Sequence, residues 1–146
     1  MQVEVKIDPL CENPKVIIIT DKMTQEINDL VKQLTDSSPQ IIVGQREDSL
    51  EILEQSDIVR IYSASGKIFA VSSGKEYILR QRLYELEERL DKTRFARISN
   101  SEIINLRKVK KFDMSLSGTI CVLLSDGTAS YVSRRYVAKI KQILGI

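Results

Sequence analysis

The sequence predicts a mainly β fold with peripheral helices, preceded by a short β-β-α-β extension at the N-terminus. Three observations lead there. The chain has 146 residues, the size of one ordinary domain. From residue 50 onward, short apolar runs of period two are separated by Gly-bearing turns. Helical spacing occurs in only three stretches, and each lies beside strands rather than among other helices.

The elements follow in order. Residues 2–7 (QVEVKI) alternate polar and apolar and read as an exposed-edge strand, and residues 8–14 as a loop. Residues 15–20 (KVIIIT) form a continuous β-branched run, the pattern of a strand covered on both faces. Met23, Ile27, Leu30, Val31 and Leu34 then fall at helical spacing, with Thr20 or Asp21 as N-cap. Ser37, Ser38 and Pro39 end that helix, and residues 40–44 (QIIVG) begin a strand. Strands are expected at 50–53, 58–62, 67–71 and 76–79, with turns at 63–66 and 72–74. Leu79, Leu83, Leu86 and Leu90 mark a helix over 80–91. A strand at 95–98 precedes a helical turn at 101–105, and three more strands occupy 110–114, 119–124 and 128–132. Ser133 caps a last helix whose apolar face is Val137, Ile140, Ile143 and Leu144.

Composition excludes several chemistries. There is no histidine, which removes His-based nucleophilic sites, His general bases and most zinc or iron centres. The two cysteines, Cys11 and Cys121, make no metal or disulfide framework, as expected in a reducing cytoplasm. Cys121 is expected in a buried strand as a small apolar group. The six glycines are scattered singly, so no phosphate-cradling loop exists. Glu85, Glu87 and Glu88 sit beside Arg82 and Arg89 at helical spacing and read as a solvated face. No apolar run approaches the roughly 18–20 residues of a membrane span. The first residues lack a basic segment followed by an apolar one, so export is not expected. No enzyme, cofactor, metal site or small-molecule substrate is indicated.

The formal charge of +2 hides an uneven distribution. Residues 1–58 carry five basic and twelve acidic side chains, a net of −7, whereas residues 59–146 carry seventeen basic against eight acidic, a net of +9. Such asymmetry points to a polyanionic partner for the second half. The basic and polar groups that could meet it cluster at turns and strand-to-helix junctions: Arg97, Asn100 and Ser101; then Arg107 and Lys108; then Ser133, Arg134 and Arg135. Arginine reads guanine bidentately, asparagine reads adenine, and serine, lysine and a helix start hold phosphates. The arrangement is not a helix-turn-helix. Loops reaching into DNA grooves from a β scaffold, and solvated basic loops with no ligand, both remain open on these residues.

Residues 50–146 resemble the LytTR (LytR/AlgR-type) DNA-binding domain. The likeness rests on EQSDIVRIYSASGKIFAV, on YILRQRLYELEERLDKTRFARISNSEIINLRKVKKF and on LLSDGTASYVSRRYVAKIKQIL. Its most specific part is Phe95-x-Arg97-x-x-Asn100-Ser101-x-x-x-Asn105, with Val132-Ser133-Arg134-Arg135 downstream. The resemblance implies an elongated β fold of small packed sheets that inserts loops into successive major grooves of double-stranded DNA. It places base-reading positions on Asn100 and Arg135, with a third in the loop at 65–67. Some relatives offer histidine in that loop; here Gly66 and Lys67 stand instead, and Lys67 is expected to hold phosphate. Many relatives also carry histidine at the position of Ser99 and an aromatic at that of Glu102. An acid there is expected to point away from DNA or to tune base choice.

The family often places this domain after a phosphorylatable receiver, which residues 1–49 are too short to form. The chain is similar to stand-alone regulators of the family, some of which are held by a membrane-embedded inhibitor protein. The expectation is therefore a cytoplasmic, sequence-specific transcription regulator acting as a homodimer on tandem half-sites. Residues 1–44 would serve dimerisation or partner docking, and residues 45–146 DNA binding. The alternative is a protein-interaction or anti-regulatory module whose basic face binds an acidic protein.

Overall fold

The computed structural model describes residues 1–35 and 41–146. The chain divides into two compact units, Met1–Ser37 and Ser38–Ile146. In the first unit, the only regular element among the described residues is helix α1 (Gln25–Thr35). Its start is set by Thr24, whose Oγ1 accepts from the Ile27 amide at 3.3 Å, not by Thr20 or Asp21. The expected helix end at Ser37, Ser38 and Pro39 lies outside the described residues, as does Gln40.

Two expected strands are not formed. Residues 2–7 and 15–20 have no ladder partner among the described residues. Val3, Val5, Ile7, Val16, Ile17 and Ile19 are all exposed, Ile19 to 94%. Alternation and β-branching supply the side chains of a strand, but a strand exists only where another backbone takes up its N–H and C=O groups. The third expected strand does form, as β1 (Ile42–Arg46), and its partners lie in the second unit.

The second unit contains β1, β2 (Ser49–Leu53), β3 (Ile58–Ala64), β4 (Lys67–Ser72), β5 (Lys75–Leu79), α2 (Leu83–Arg89), β6 (Phe95–Ser99), β7 (Glu102–Asn105), β8 (Val109–Asp113), β9 (Ile120–Leu124), β10 (Ala129–Val132) and α3 (Arg134–Leu144). Seven strands form one antiparallel sheet in the order β2-β1-β5-β4-β3-β7-β6; the other three form a second, β10-β9-β8. The helical turn expected at 101–105 is strand β7. Successive side chains of a strand face opposite ways, and Ile103 and Ile104, both fully buried, fill two different cores. That double burial outweighs the local turn preference of Ser101.

The first core lies under α2: Leu83, Leu86 and Leu90 pack with Ile58, Ile61, Ile68, Leu79, Phe95 and Ile103. The second joins the two sheets and α3: Val59, Ala96, Ile98 and Ile104 meet Ile120, Val122, Leu124, Val132 and Ile140. Asn105 is fully buried; its Nδ2 donates to the Ile58 carbonyl at 2.8 Å and its Oδ1 accepts from the Arg107 amide at 3.0 Å. At the other end of the large sheet, Gly44 leaves room for a neighbour, since a Cβ there would sit 2.7 Å from the Tyr77 Cβ. A hydrogen bond to Glu51, then burial, raises the Tyr77 hydroxyl above its ordinary pKa of 10.0. Cys121 is half-buried, pointing away from the core that Ile120 and Val122 fill on the same strand.

Candidate functional site

Three connections meet at one end of the large sheet. The first is the two-residue turn between β3 and β4, where Ser65 (φ 52°) and Gly66 (φ 75°) both take left-handed backbone and close the Ala64–Lys67 pair. Two successive positive φ values define the turn type that follows the strand twist, and Gly66 meets that demand without strain. The second is the β6–β7 turn, which carries Asn100 and Ser101. It is tied to the first by the Ser63 amide, which donates to the Ser101 carbonyl at 2.9 Å. The third is the start of α3, joined to β6 by the Ser133 amide donating to the Ile98 carbonyl at 2.8 Å.

A bulge in β6 shapes the central turn. Arg97 pairs with Ile103, but Ser99 pairs with Glu102, so Ile98 is an extra residue on β6. Ile98 is fully buried, and the bulge re-aims the residues that follow it. The Ser99 hydroxyl accepts from the Ser101 amide at 3.1 Å and lies 3.2 Å from the Ser101 hydroxyl. Asn100 is exposed at the tip. Its Oδ1 accepts from the Tyr136 hydroxyl on α3 at 3.4 Å, and the Arg135 guanidinium lies 5.7 Å from the Tyr136 ring centre. Asn100 and Arg135, thirty-five positions apart, are thus both within reach of one phenol.

The acid at 102 turns inward. Glu102 Oε2 accepts from Arg60 at 2.8 Å and from the Ser130 hydroxyl at 3.0 Å, which links β7 to β3 and β10. The Arg60 guanidinium also lies 4.3 Å from the Tyr62 ring. Arg97 is engaged too: Nε donates to the Ser99 carbonyl at 2.8 Å, and its two terminal nitrogens to the Asn100 carbonyl at 2.7 Å and to Glu87 at 2.5 Å. Its guanidinium therefore supports the turn from within the protein.

Gly66, Lys67, Asn100, Ser101, Arg134 and Arg135 gather at this end and are exposed, with Ser133 half-buried among them. Ser133 is the first residue of the α3 cap, yet its hydroxyl makes no capping bond. Arg107 and Lys108 do not join the cluster. They occupy a helical turn after β7, at the opposite end of that strand. Four residues of strand separate the two ends by roughly 13 Å.

Three contributors escape a reading of the sequence. Tyr136 looks like one more helix residue until α3 is docked on β6. Glu87 reads as part of a solvated face; of its neighbours, Glu88 does pair with Lys92 (3.6 Å) and Glu85 accepts from the Arg82 amide (3.2 Å), but Glu87 reaches Arg97 on another element. Arg80, exposed, follows Leu79, which pairs with Ile68 beside Lys67. Its place at the same sheet end follows only from the β4–β5 register. Chemically, the cluster presents amide, guanidinium, ammonium and hydroxyl donors on an exposed surface, and the described residues hold no group of acids, cysteines or histidines that could bind a metal.

Comparison with known proteins is consistent with this geometry. A family model described as the LytTr DNA-binding domain matches residues 48–145. Two Staphylococcus aureus relatives, each described as an uncharacterized HTH-type transcriptional regulator, are 33% identical (strain NCTC 8325 / PS 47) and 32% identical (strain MRSA252). Each alignment spans 133 residues, covering 91% of this chain and 86% of the relative. Among solved structures, the LytTr DNA-binding domain of a Bacillus cereus protein superposes with a TM-score of 0.70. It covers 73% of this chain and 98% of its own at 20% identity, a likeness of fold. The helix-turn-helix in the relatives' descriptions has no counterpart among the described residues, where α1, α2 and α3 are separated by strands.

Proposed function

Because this chain belongs to the LytTR DNA-binding domain family, we propose that it is a sequence-specific transcription regulator that reads the major grooves of double-stranded DNA with loops. The observation that carries this reading is the convergence of the β3–β4 turn, the β6–β7 turn and the start of α3 at one sheet end. Asn100 and Arg135 are assigned to base edges; Lys67, Ser101, Ser133 and Arg134 to phosphates; and Gly66 and Arg97 to supporting the loops. Arg107 and Lys108, at the far end of β7, are assigned to backbone phosphates farther along the duplex. The reading involves no catalytic step and no cofactor.

Selection of bound duplexes from a random pool tests it. A defined motif should emerge, and unrelated duplex should compete only weakly against it. Equal competition by any duplex, together with tight binding of an acidic protein, would favour the alternative of a protein-interaction module.

The pairing of two copies expected of residues 1–44 is assigned to the Met1–Ser37 unit, because β1 belongs to the large sheet. It would present two reading units to tandem half-sites and raise affinity through effective concentration. The support is the exposure of Val16 (70%), Ile17 (69%) and Ile19 (94%) in a stretch of strand-like composition. The same surface could instead dock a membrane-embedded inhibitor protein, with the regulator itself in the cytoplasm. No helix among the described residues is long and apolar enough to cross a membrane. Sedimentation separates these roles. A dimeric full chain whose 38–146 fragment is monomeric supports pairing, and a full chain that stays monomeric at micromolar concentration rejects it. The fragment begins at Ser38 because β1 belongs to the large sheet.

A further inference from the structure

Glu87 lies on α2, a helix that carries none of the proposed DNA contacts. It nevertheless meets the guanidinium that holds the central turn. Arg97 spends three nitrogens on three acceptors: the carbonyls of Ser99 and Asn100, and the Glu87 carboxylate. The two carbonyls belong to the peptides that flank the Asn100 α-carbon, so the guanidinium fixes the backbone from which that side chain projects. Arginine suits this post because its planar fork aims several donors at once. The pair is partly sheltered, with Arg97 14% exposed and Glu87 36%. Glu87 is itself held in place, since its neighbour Leu86 is fully buried in the first core.

We propose that Glu87 is a positioning residue for base choice: through Arg97 it orients the Asn100 turn, so that α2 sets sequence discrimination without touching DNA. This rests on the assignment of Asn100 to a base edge. Without the carboxylate, the guanidinium is free to swing from the turn toward solvent or a phosphate. The turn would then keep its fold and lose its aim. Discrimination at one base position should fall, while the positions read from α3 and the sequence-independent attraction for phosphate stay as they are.

The test uses the full chain and a random-pool selection with Glu87→Ala, Glu87→Gln, Arg97→Lys, Asn100→Ala, Arg135→Ala and the double variant Glu87→Ala/Asn100→Ala. Glu87→Ala should flatten preference by about tenfold at the same position that Asn100→Ala flattens, leaving the position lost in Arg135→Ala unchanged. Glu87→Gln, which keeps an acceptor oxygen for Arg97, should fall between Glu87→Ala and the parent. Arg97→Lys, which cannot span all three acceptors, should resemble Glu87→Ala. The double variant Glu87→Ala/Asn100→Ala should be no worse than Asn100→Ala alone. Amide exchange at residues 99–101 should quicken in Glu87→Ala with no change in the thermal midpoint. Full preference in Glu87→Ala alongside its loss in Asn100→Ala overturns the proposal and leaves the DNA-reading assignment standing. Equal relaxation at every position with a lowered midpoint also overturns it, because Glu87 would then be a general stabiliser. Unchanged preference in Asn100→Ala itself removes the assignment on which the proposal stands.

Discussion

The Tyr136 hydroxyl donates to the side-chain oxygen of Asn100 across 3.4 Å, joining the first turn of α3 to the tip of the β6–β7 turn. One acceptor site of the Asn100 oxygen is thereby engaged, and its amide nitrogen remains a donor. Tyr136→Phe deletes this one bond and keeps the ring. Binding to the selected site should weaken by about threefold to tenfold, in line with the modest net worth of one hydrogen bond. Thermal melting should not change. Titration of labelled duplex by fluorescence anisotropy reads the difference.

Asn100→Ala and Arg135→Ala should each cost about 1–3 kcal/mol on the selected site and relax one position of its motif. Lys67→Ala and Lys108→Ala should weaken all duplexes alike and lower the salt dependence by about one ion each. If the first two variants lose affinity without any change in preference, their assignment to base edges is wrong.

Asn105→Ala should destabilise the fold by about 1–3 kcal/mol, because the Ile58 carbonyl and the Arg107 amide lose their buried partner together. Urea unfolding should show a lower midpoint at an unchanged slope.

Gly44→Ala should also destabilise, by about 1–3 kcal/mol, through overpacking. The new methyl would stand 2.7 Å from the Tyr77 Cβ and 2.9 Å from the Leu53 Cδ1. Removing the tyrosine ring does not remove the clash with its Cβ, so Tyr77→Ala should fail to rescue Gly44→Ala.

The Asp91 carboxyl is held below its ordinary range, first by the Thr93 hydroxyl and then by the Thr93 amide, at 2.7 and 2.9 Å, with Arg94 and Arg107 adding to the effect against the opposing influence of burial. A depressed folded pKa means that the unfolded chain binds more protons, so stability rises with pH. The contribution is present above the unfolded carboxyl value of about 3.9 and disappears as pH falls through the lower folded value. Asp91→Ala should therefore lower stability at neutral pH, and the gap from the parent should narrow on acidification below about pH 4. A gap that is constant or widens on acidification would contradict the sign.

Much of this architecture is written in period-two patterns. The strands from Leu50 onward and the turns at Ser65-Gly66 and Ser73-Gly74 follow from local rules, because each side-chain alternation meets a partner two turn residues away. Residues 2–7 obey the same rule but have no ladder partner among the described residues, and alternation alone does not make a strand. Strand β7 was obscured for the opposite reason: Ile103 and Ile104 belong to different cores, which a single chain segment cannot announce. At the sheet end, residue type and family pattern single out Asn100 and Arg135 as candidates, and the structure sets both beside Tyr136. Tyr136, Glu87 and Arg80 became visible only through the docking of α3 on β6, the reach of Arg97 across elements and the β4–β5 register.

The sharing of β6 and β7 between two cores has a consequence for partly folded states. Phe95 and Ile103 are committed to the core under α2, and Ala96, Ile98 and Ile104 to the core under α3. Melting of either core would strip one face of the hairpin that carries Asn100, so a half-folded intermediate is expected to lose the proposed recognition tip. Loss of operator binding and loss of structure should coincide along a denaturant titration, and the amides of β7 should open only when the whole unit does. Under the proposed function, occupancy would be all-or-none with respect to folding: a partly unfolded copy is expected to leave DNA.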